Sequence, residues 1–290
     1  MNPLQVGFVG LGAMGLAMAG HLKRVGVLVG VSNRSPAKAE AFANEHGVVF
    51  ANSAGELATA CNVIVLCVSA DADVLQVTRE IAAQAQPGTI VVDHSTVSAK
   101  TAVQACAMMH AVGGDFVDAP VSGGVEGAKN GKLSVMAGGA DAALERVKPV
   151  LDAYAARISH MGGVGAGQST KAVNQILIAG VMQGFGEGLA LAEALGLDPT
   201  VLMSTLTGGA ANSWYLEKRG ASALRDEFSV GFKAKLMHKD LGIGLELAQS
   251  AGTSRGVIEK TIADLAQLMA QGHGDEDVSS ILRLKRAKSV

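Results

Sequence analysis

Short apolar runs rich in β-branched residues recur through the first half of the chain, separated by segments with helical periodicity. Several of these runs are apolar throughout, which is expected of strands that are buried on both faces. Parallel strands joined by helical crossovers produce this alternation. The sequence therefore predicts strands within residues 6–10, 27–33, 48–51, 63–69, 89–94, 116–119, 133–137 and 157–161.

The strand pattern ends after Gly167, and the residues that follow favour helices. One long helix is predicted over residues 169–195, because Gly196 and Pro199 are the kind of residues that end a helix. Shorter helices are predicted over residues 199–206, 232–251 and 254–271. We therefore expect an α/β fold in which a Rossmann-type, doubly wound, mostly parallel sheet (residues 1–163) is followed by an all-α C-terminal domain (residues 164–290).

Composition excludes several classes of protein. The formal net charge is -2, and the one basic run is the tail 283–288, which we expect to be solvated, so nothing indicates a nucleic-acid partner. Cys61, Cys67 and Cys106 lack CxxC spacing, which argues against a disulfide or a metal site. Without a basic leader or an uninterrupted apolar stretch of about 18 residues, we expect a cytoplasmic protein that contacts no membrane.

A glycine-rich motif joins the first predicted strand to the first predicted helix. It has the spacing GxGxxG and consists of Gly10, Leu11, Gly12, Ala13, Met14 and Gly15. The first glycine permits a tight turn, the second lets a pyrophosphate approach the backbone, and the third allows close packing of helix on strand. Because amides at a helix N-terminus attract anions, we expect these six residues to bind a dinucleotide.

The end of the second predicted strand bears on which dinucleotide binds. An NAD-specific site usually offers a carboxylate here to the ribose hydroxyl, whereas this chain has Asn33, Arg34 and Ser35. Arg34 can pair with a 2′-phosphate, Ser35 can donate a hydrogen bond, and the neutral Asn33 does not repel that phosphate. The triplet predicts a preference for NADP(H), with NAD(H) still possible.

Two further segments carry groups suited to carbonyl chemistry. Residues 118–124 form a predicted turn in which the Ser122 hydroxyl and the amides of Gly123 and Gly124 can converge on a carboxylate. On the long helix, Lys171 and Asn174 share one face among apolar neighbours. Desolvation there would lower the lysine pKa toward acid/base work, although the helical pattern alone fits a solvated lysine equally well.

Four segments together (residues 7–15, 118–124, 165–174 and 239–241) resemble the β-hydroxyacid dehydrogenase family, in order and nearly end to end. This family includes 3-hydroxyisobutyrate dehydrogenase, tartronate semialdehyde reductase and the glyoxylate/succinic semialdehyde reductases. The resemblance implies that Lys171 is the catalytic acid/base and that Asn174 orients the substrate. It also implies that Thr96 lies beside the nicotinamide and that Lys239 reaches the cofactor or the substrate.

The resemblance further implies hydride transfer between NADP(H) and a small β-hydroxy acid or its semialdehyde. It leaves open glyoxylate, succinic, tartronate and methylmalonate semialdehydes, and 3-hydroxyisobutyrate. Family members bury the helix that links the domains between protomers, which would explain the glycine row Gly180, Gly184 and Gly188. We therefore expect a homodimer or a homotetramer.

Two other functions are compatible with part of this pattern. Imine reductases are similar in architecture and prefer NADPH, but a cationic Lys171 would repel an iminium and attract a carboxylate. A non-catalytic dinucleotide-binding module would have no need of Lys171 and Asn174 near a carboxylate-binding turn. NADPH oxidation measured with a panel of semialdehydes separates these alternatives.

Overall fold

A computed structural model describes residues 3–229 and 231–286. The chain forms two compact units, Met1–Lys171 and Ala172–Val290. The first unit contains a nine-stranded sheet covered by helices, and the second is helical. The predicted order of an α/β region followed by an all-α region is confirmed.

The sheet of the first unit has the strand order β3-β2-β1-β4-β5-β6-β8-β7, and β9 pairs with β8. Strands β1 to β6 run parallel, whereas β8 is antiparallel to β6 and β7. The strands are β1 (Val6–Val9), β2 (Leu28–Ser32), β3 (Val49–Phe50), β4 (Val63–Leu66), β5 (Ile90–Asp93), β6 (Asp115–Asp118), β7 (Val121–Ser122), β8 (Leu133–Gly138) and β9 (Ala155–Gly162). The connecting helices are α1 (Ala13–Arg24), α2 (Pro36–His46), α3 (Ala54–Ala60), α4 (Asp71–Ala82), α5 (Ala99–His110), α6 (Gly124–Lys129) and α7 (Asp141–Leu151).

Strand β4 shows why the predicted strands are apolar throughout. Val63 and Val65 belong to one hydrophobic cluster, and Ile64 and Leu66 belong to another. All four side chains are fully buried. Because successive side chains of a strand point to opposite faces, both faces of the sheet are covered, as a doubly wound fold requires.

The parallel strands bring several predicted site residues to one edge of the sheet. Gly10 follows β1, Asn33 follows β2, Thr96 lies shortly after β5, and Asp118 ends β6. In open α/β sheets, ligands bind in the crevice outside the carboxyl ends of the strands. The topology therefore gathers segments that are far apart in sequence.

Helix α8 (Ala166–Ala194) begins in the first unit and continues into the second. It is followed by α9 (Pro199–Thr207), α10 (Trp214–Leu224), α11 (Ala234–Ser250), α12 (Gly256–Ala270), a 3₁₀ turn (Val278–Ile281) and α13 (Leu282–Lys285). Apolar residues of α8, α11 and α12, Met182, Met237 and Leu265 among them, form the main core of the second unit. Helix α10 was not predicted, although Ser213 accepts a hydrogen bond from the Leu216 amide as an N-cap, which is a recognisable start signal.

The prediction that the basic tail is solvated is wrong for residues 283–286. The Lys285 side chain is 8% exposed and donates to Asp264 Oδ2 over 2.8 Å, while Arg286 Nε donates to Glu193 Oε2 over 2.8 Å. These acidic partners come from distant helices, so the local run of positive charge could not reveal them. Residues 287 and 288 lie outside the described residues.

Within the described ranges, α8 is the one helix whose length and apolar composition would suffice to cross a membrane. About 44% of its most apolar window is buried, and core helices of soluble proteins share this composition. Leu177 is 67% exposed and Leu191 is 61% exposed. A Cβ added to Gly180, Gly184 or Gly188 would meet nothing within 4 Å. Helix α8 thus has a smooth apolar face that none of the described residues covers.

Candidate active site

The glycine loop between β1 and α1 is packed tightly at its ends and open in its middle. A Cβ on Gly10, whose φ is +100°, would lie 2.3 Å from the Cys67 carbonyl oxygen, and a Cβ on Gly15 would lie 1.9 Å from that of Gly10. A Cβ on Gly12 would meet nothing within 4 Å, and no side chain caps the start of α1. The open backbone beside uncapped amides fits the pyrophosphate of a dinucleotide.

Asn33 ties the end of β2 to this loop. Its Oδ1 accepts a hydrogen bond from the Leu11 amide over 2.9 Å, and its Nδ2 donates to the Ser35 carbonyl oxygen over 3.1 Å. Ser35 occupies the N-cap position of α2 but makes no side-chain bond to that helix. The sequence did not predict that Asn33 shapes the glycine loop.

Arg34 follows Asn33 in the connection between β2 and α2. Its side chain is 84% exposed, and its guanidinium lies 3.7 Å from the Asp73 carboxylate of α4. An exposed guanidinium can approach a phosphate with little rearrangement. The nearby Asp73 charge opposes the binding of an anion there, an element that was absent from the sequence prediction.

The predicted substrate turn is a short strand followed by two glycines with positive φ angles. Ser122 pairs with Ser134 of β8, and Gly123 and Gly124 have φ values of +126° and +60°. Residues with a Cβ rarely adopt these angles, so glycine is required at both positions. Both glycines are exposed at the start of α6, and Ser122 is half-buried.

Lys171 meets this turn. Its side chain is buried, and Nζ donates a hydrogen bond to the Val121 carbonyl oxygen over 2.8 Å. Val121 immediately precedes Ser122, so the ammonium group lies next to the segment predicted to hold a carboxylate. The sequence places these residues 50 positions apart.

The start of α8 is held by a carboxylate. Asp118 accepts the Gly165 amide on Oδ1 over 2.7 Å and the Gln168 amide on Oδ2 over 2.9 Å, and it is fully buried. Burial raises the pKa of Asp118 to about 6, although these hydrogen bonds act in the opposite direction. A Cβ on Gly167 would lie 2.3 Å from the Met136 carbonyl oxygen, which requires glycine there. Asp118 therefore anchors helix α8, which carries Lys171. This helix begins at Ala166, three residues before its predicted start.

Gln168 bridges the two sides of Thr96. Its Nε2 donates to the Ser95 carbonyl oxygen over 2.7 Å, and its Oε1 accepts the Val97 amide over 3.1 Å. The side chain is 1% exposed, and Thr96 is half-buried. Gln168 lies in the segment 165–174 that the sequence singles out, but no role was predicted for it. Its position one residue after Gly167 and three before Lys171 was the available signal.

The second unit contains a series of polar side chains that are linked by hydrogen bonds. Asn174 Nδ2 donates to Gln175 Oε1 over 2.8 Å, and Gln175 Nε2 donates to Asp240 Oδ2 over 2.8 Å. Lys239 Nζ lies 3.1 Å from Asp240 Oδ1, and Asp240 is 3% exposed. Two predicted site residues, Asn174 and Lys239, are thus joined through Gln175 and Asp240, which sequence reasoning missed. The available signal for Asp240 was its place directly after Lys239 in the sequence.

Comparison with known proteins covers nearly the whole chain. Residues 5–163 match the family described as the NAD binding domain of 6-phosphogluconate dehydrogenase, and residues 165–285 match that described as NAD-binding of NADP-dependent 3-hydroxyisobutyrate dehydrogenase. The chain is 40% identical over 289 residues to an uncharacterized oxidoreductase of Shewanella frigidimarina, covering 98% of this chain and 99% of the relative. It is 35% identical over 250 residues to 2-hydroxy-3-oxopropionate reductase of Escherichia coli, covering 85% of each.

A solved structure is similar to this chain over nearly its whole length. Mycobacterium tuberculosis 3-hydroxyisobutyrate dehydrogenase with L-serine has a TM-score of 0.89 and 32% sequence identity, covering 98% of this chain and 99% of that one. The fold, the glycine loop and the matched dehydrogenases and reductases together show an NAD(P)-dependent oxidoreductase that acts on CH–OH groups. The chain belongs to the β-hydroxyacid dehydrogenase family. Family membership favours hydroxyacid oxidoreduction over both the imine reductase and the non-catalytic module.

Proposed function

We propose that this enzyme interconverts a small β-hydroxy acid and its semialdehyde, prefers NADP(H), and uses Lys171 as general acid and base. The observation that carries the proposal is the buried Lys171 ammonium, 2.8 Å from the Val121 carbonyl oxygen and one residue from Ser122. When bound, the dinucleotide supplies the hydride for reduction or accepts it in oxidation. Lys171 donates a proton to the carbonyl oxygen as negative charge develops there, and takes the alcohol proton in reverse.

The substrate carboxylate is assigned to the turn beside Lys171. The Ser122 hydroxyl and the amides of Gly123 and Gly124 are the donors, and Asn174 orients the substrate. The Escherichia coli relative is named for 2-hydroxy-3-oxopropionate, and the Mycobacterium tuberculosis structure contains L-serine. Both compounds are three-carbon carboxylates with oxygen at C3, which supports a short β-hydroxy acid or semialdehyde as substrate.

The NADP(H) preference is assigned to Arg34, with Ser35 as a further donor and Asn33 as the neutral neighbour. A charged hydrogen bond to the 2′-phosphate contributes about 1.5 to 3 kcal/mol, or roughly 10- to 150-fold in affinity. The Asp73 carboxylate, 3.7 Å from Arg34, reduces this advantage. We therefore place the preference near the lower end of that range, which leaves NAD(H) usable.

We also propose that the enzyme acts in the cytoplasm as a homodimer or homotetramer assembled through α8. The exposed Leu177 and Leu191, together with the open glycine row of that helix, support a contact between protomers. Light scattering on the purified protein tests the assembly. A monomer at micromolar concentration would contradict it.

Replacing Lys171 tests the central proposal. Lys171→Ala should lower kcat by about 10² to 10⁴ while leaving the fold and NADPH binding intact, because it removes the proton donor and leaves the glycine loop unchanged. Lys171→Arg should rescue poorly, since a guanidinium does not give up its proton near neutral pH. Lys148→Ala, which removes an exposed lysine paired with Asp152, is the matched control.

The measurements are initial rates with NADPH and a panel of semialdehydes, plus fluorescence titration of NADPH binding. A Lys171→Ala variant that keeps more than about a tenth of wild-type kcat at saturating substrate would mean that another group is the acid. A general loss of activity in Lys148→Ala would show that the assay responds to charge or stability instead.

A further inference from the structure

We infer that Gln168 is a positioning residue that fixes the peptide segment carrying Thr96 relative to the start of helix α8. The inference rests on the proposed function and on the family resemblance, which implies that Thr96 lies beside the nicotinamide. The Gln168 amide donates to the Ser95 carbonyl oxygen over 2.7 Å and accepts the Val97 amide over 3.1 Å. One side chain thus holds the backbone on both sides of Thr96.

The chemistry of the contact calls for an uncharged amide at this position. One end must donate to a carbonyl and the other must accept from an N–H, which a glutamine amide does and an apolar or ionised side chain does not. With 1% of the residue exposed, solvent has little access to replace either bond. The segment 95–97 therefore depends on Gln168 for these two hydrogen bonds.

Gln168 is itself fixed from a third segment. Its backbone N–H is bonded to Asp118 Oδ2 over 2.9 Å, and the Gly165 amide is bonded to Oδ1 of the same carboxylate over 2.7 Å. Lys171 lies three residues further along the helix, with Nζ on the Val121 carbonyl oxygen. One helical turn therefore links the Thr96 segment, the end of β6 and the substrate turn. Gln168 acts through Thr96 and the helix without touching substrate.

Gln168→Met keeps the length of the side chain, cannot donate to the Ser95 carbonyl oxygen and offers the Val97 amide only a weakly accepting sulfur. In cofactor-free protein, hydrogen exchange of the Val97 amide should become about tenfold faster or more. In the enzyme assay, kcat should fall about 10- to 100-fold while the KM for the semialdehyde changes less than about threefold, because positioning and not affinity is lost. Thr170→Val is the control, since that hydroxyl bonds only to the Ala166 carbonyl oxygen of its own helix in the structure.

Gln168→Glu adds a test whose result depends on pH only if the side chain positions the Thr96 segment and does not merely stabilise the fold. The protonated carboxyl keeps an O–H for Ser95 and a C=O for the Val97 amide, whereas the carboxylate repels the Ser95 carbonyl oxygen. Asp118 and Asp93, which accept the Gln168 and Ser95 amides, favour the protonated form, whereas the Lys171 ammonium three residues along the helix favours the carboxylate. The ratio of variant to wild-type kcat should rise about fivefold or more from pH 8 to pH 6.

The outcomes separate this inference from the proposed function. An unchanged Val97 exchange rate in Gln168→Met, or a kcat within about twofold of wild type, overturns the inference. If Gln168→Met does not fold, the Gln168→Glu ratio decides, and a ratio independent of pH overturns it. If Lys171→Ala remains active, the proposed mechanism fails, yet the exchange rate still reports whether Gln168 holds the Thr96 segment.

Discussion

Replacing His94 should remove a source of acid sensitivity from the first unit. His94 Nδ1 lies 2.6 Å from the Ala119 carbonyl oxygen, and Nε2 lies 2.7 Å from the Tyr154 hydroxyl. Since a carbonyl oxygen can only accept, Nδ1 carries the proton and Nε2 accepts from Tyr154. The neutral ring is thus fully bonded, and burial lowers the pKa of His94 from 6.5 to about 4.

The sign and size of the effect follow from proton linkage. Between pH 6.5 and about 4 the unfolded chain binds more protons at His94 than the folded one, so its stabilising contribution is complete above pH 6.5 and is lost as the pH falls. At 1.36 kcal/mol per pH unit this loss is about 3 kcal/mol. Asp118 acts oppositely, because its raised folded pKa of about 6 favours the folded state as the pH falls from about 6 toward 3.8.

The two contributions nearly cancel in the wild type, so the informative quantity is a difference between proteins. Urea unfolding of wild type and His94→Gln from pH 7.5 to pH 4, followed by circular dichroism, gives the difference in unfolding free energy at each pH. The difference in unfolding free energy between wild type and His94→Gln should shrink by about 3 kcal/mol as the pH falls over this range. His110→Gln, at a side chain that is 59% exposed, is the control. A difference for His94→Gln that stays constant or grows on acidification would refute the reasoning.

Two further predictions concern the ligands. Arg34→Ala should raise the KM for NADPH about tenfold and leave the KM for NADH nearly unchanged. Asp73→Asn should lower the KM for NADPH by about two- to fivefold, because it removes the negative charge beside Arg34. Steady-state kinetics with both cofactors measure this, and equal effects on NADPH and NADH would exclude a phosphate contact. Ser122→Ala should raise the KM for the semialdehyde by about tenfold and that for NADPH much less; an unchanged semialdehyde KM would remove Ser122 from the carboxylate site.

Local pattern was sufficient to predict most elements of the fold. Val63–Leu66 reads as a strand because four consecutive apolar residues suit a position buried on both faces, and the structure places it in the middle of the sheet. The GxGxxG spacing predicts a tight turn between strand and helix, which Gly10 and Gly15 make through close backbone contacts. Strand β7, with two residues, was not predicted, whereas the equally short β3 was, because β3 lies within the continuous apolar run 48–51.

The candidate site was predictable only as separate segments. The sequence by itself determined the chemical groups, Lys171 and the Ser122 turn among them, because residue type and helical or strand spacing are local properties. Only the tertiary structure decided that Asp118 caps α8 and that Gln168 holds the backbone around Thr96, since these contacts join residues 47 to 73 positions apart. A hydrogen bond at such separation depends on how strands and helices pack, and no local spacing encodes that packing.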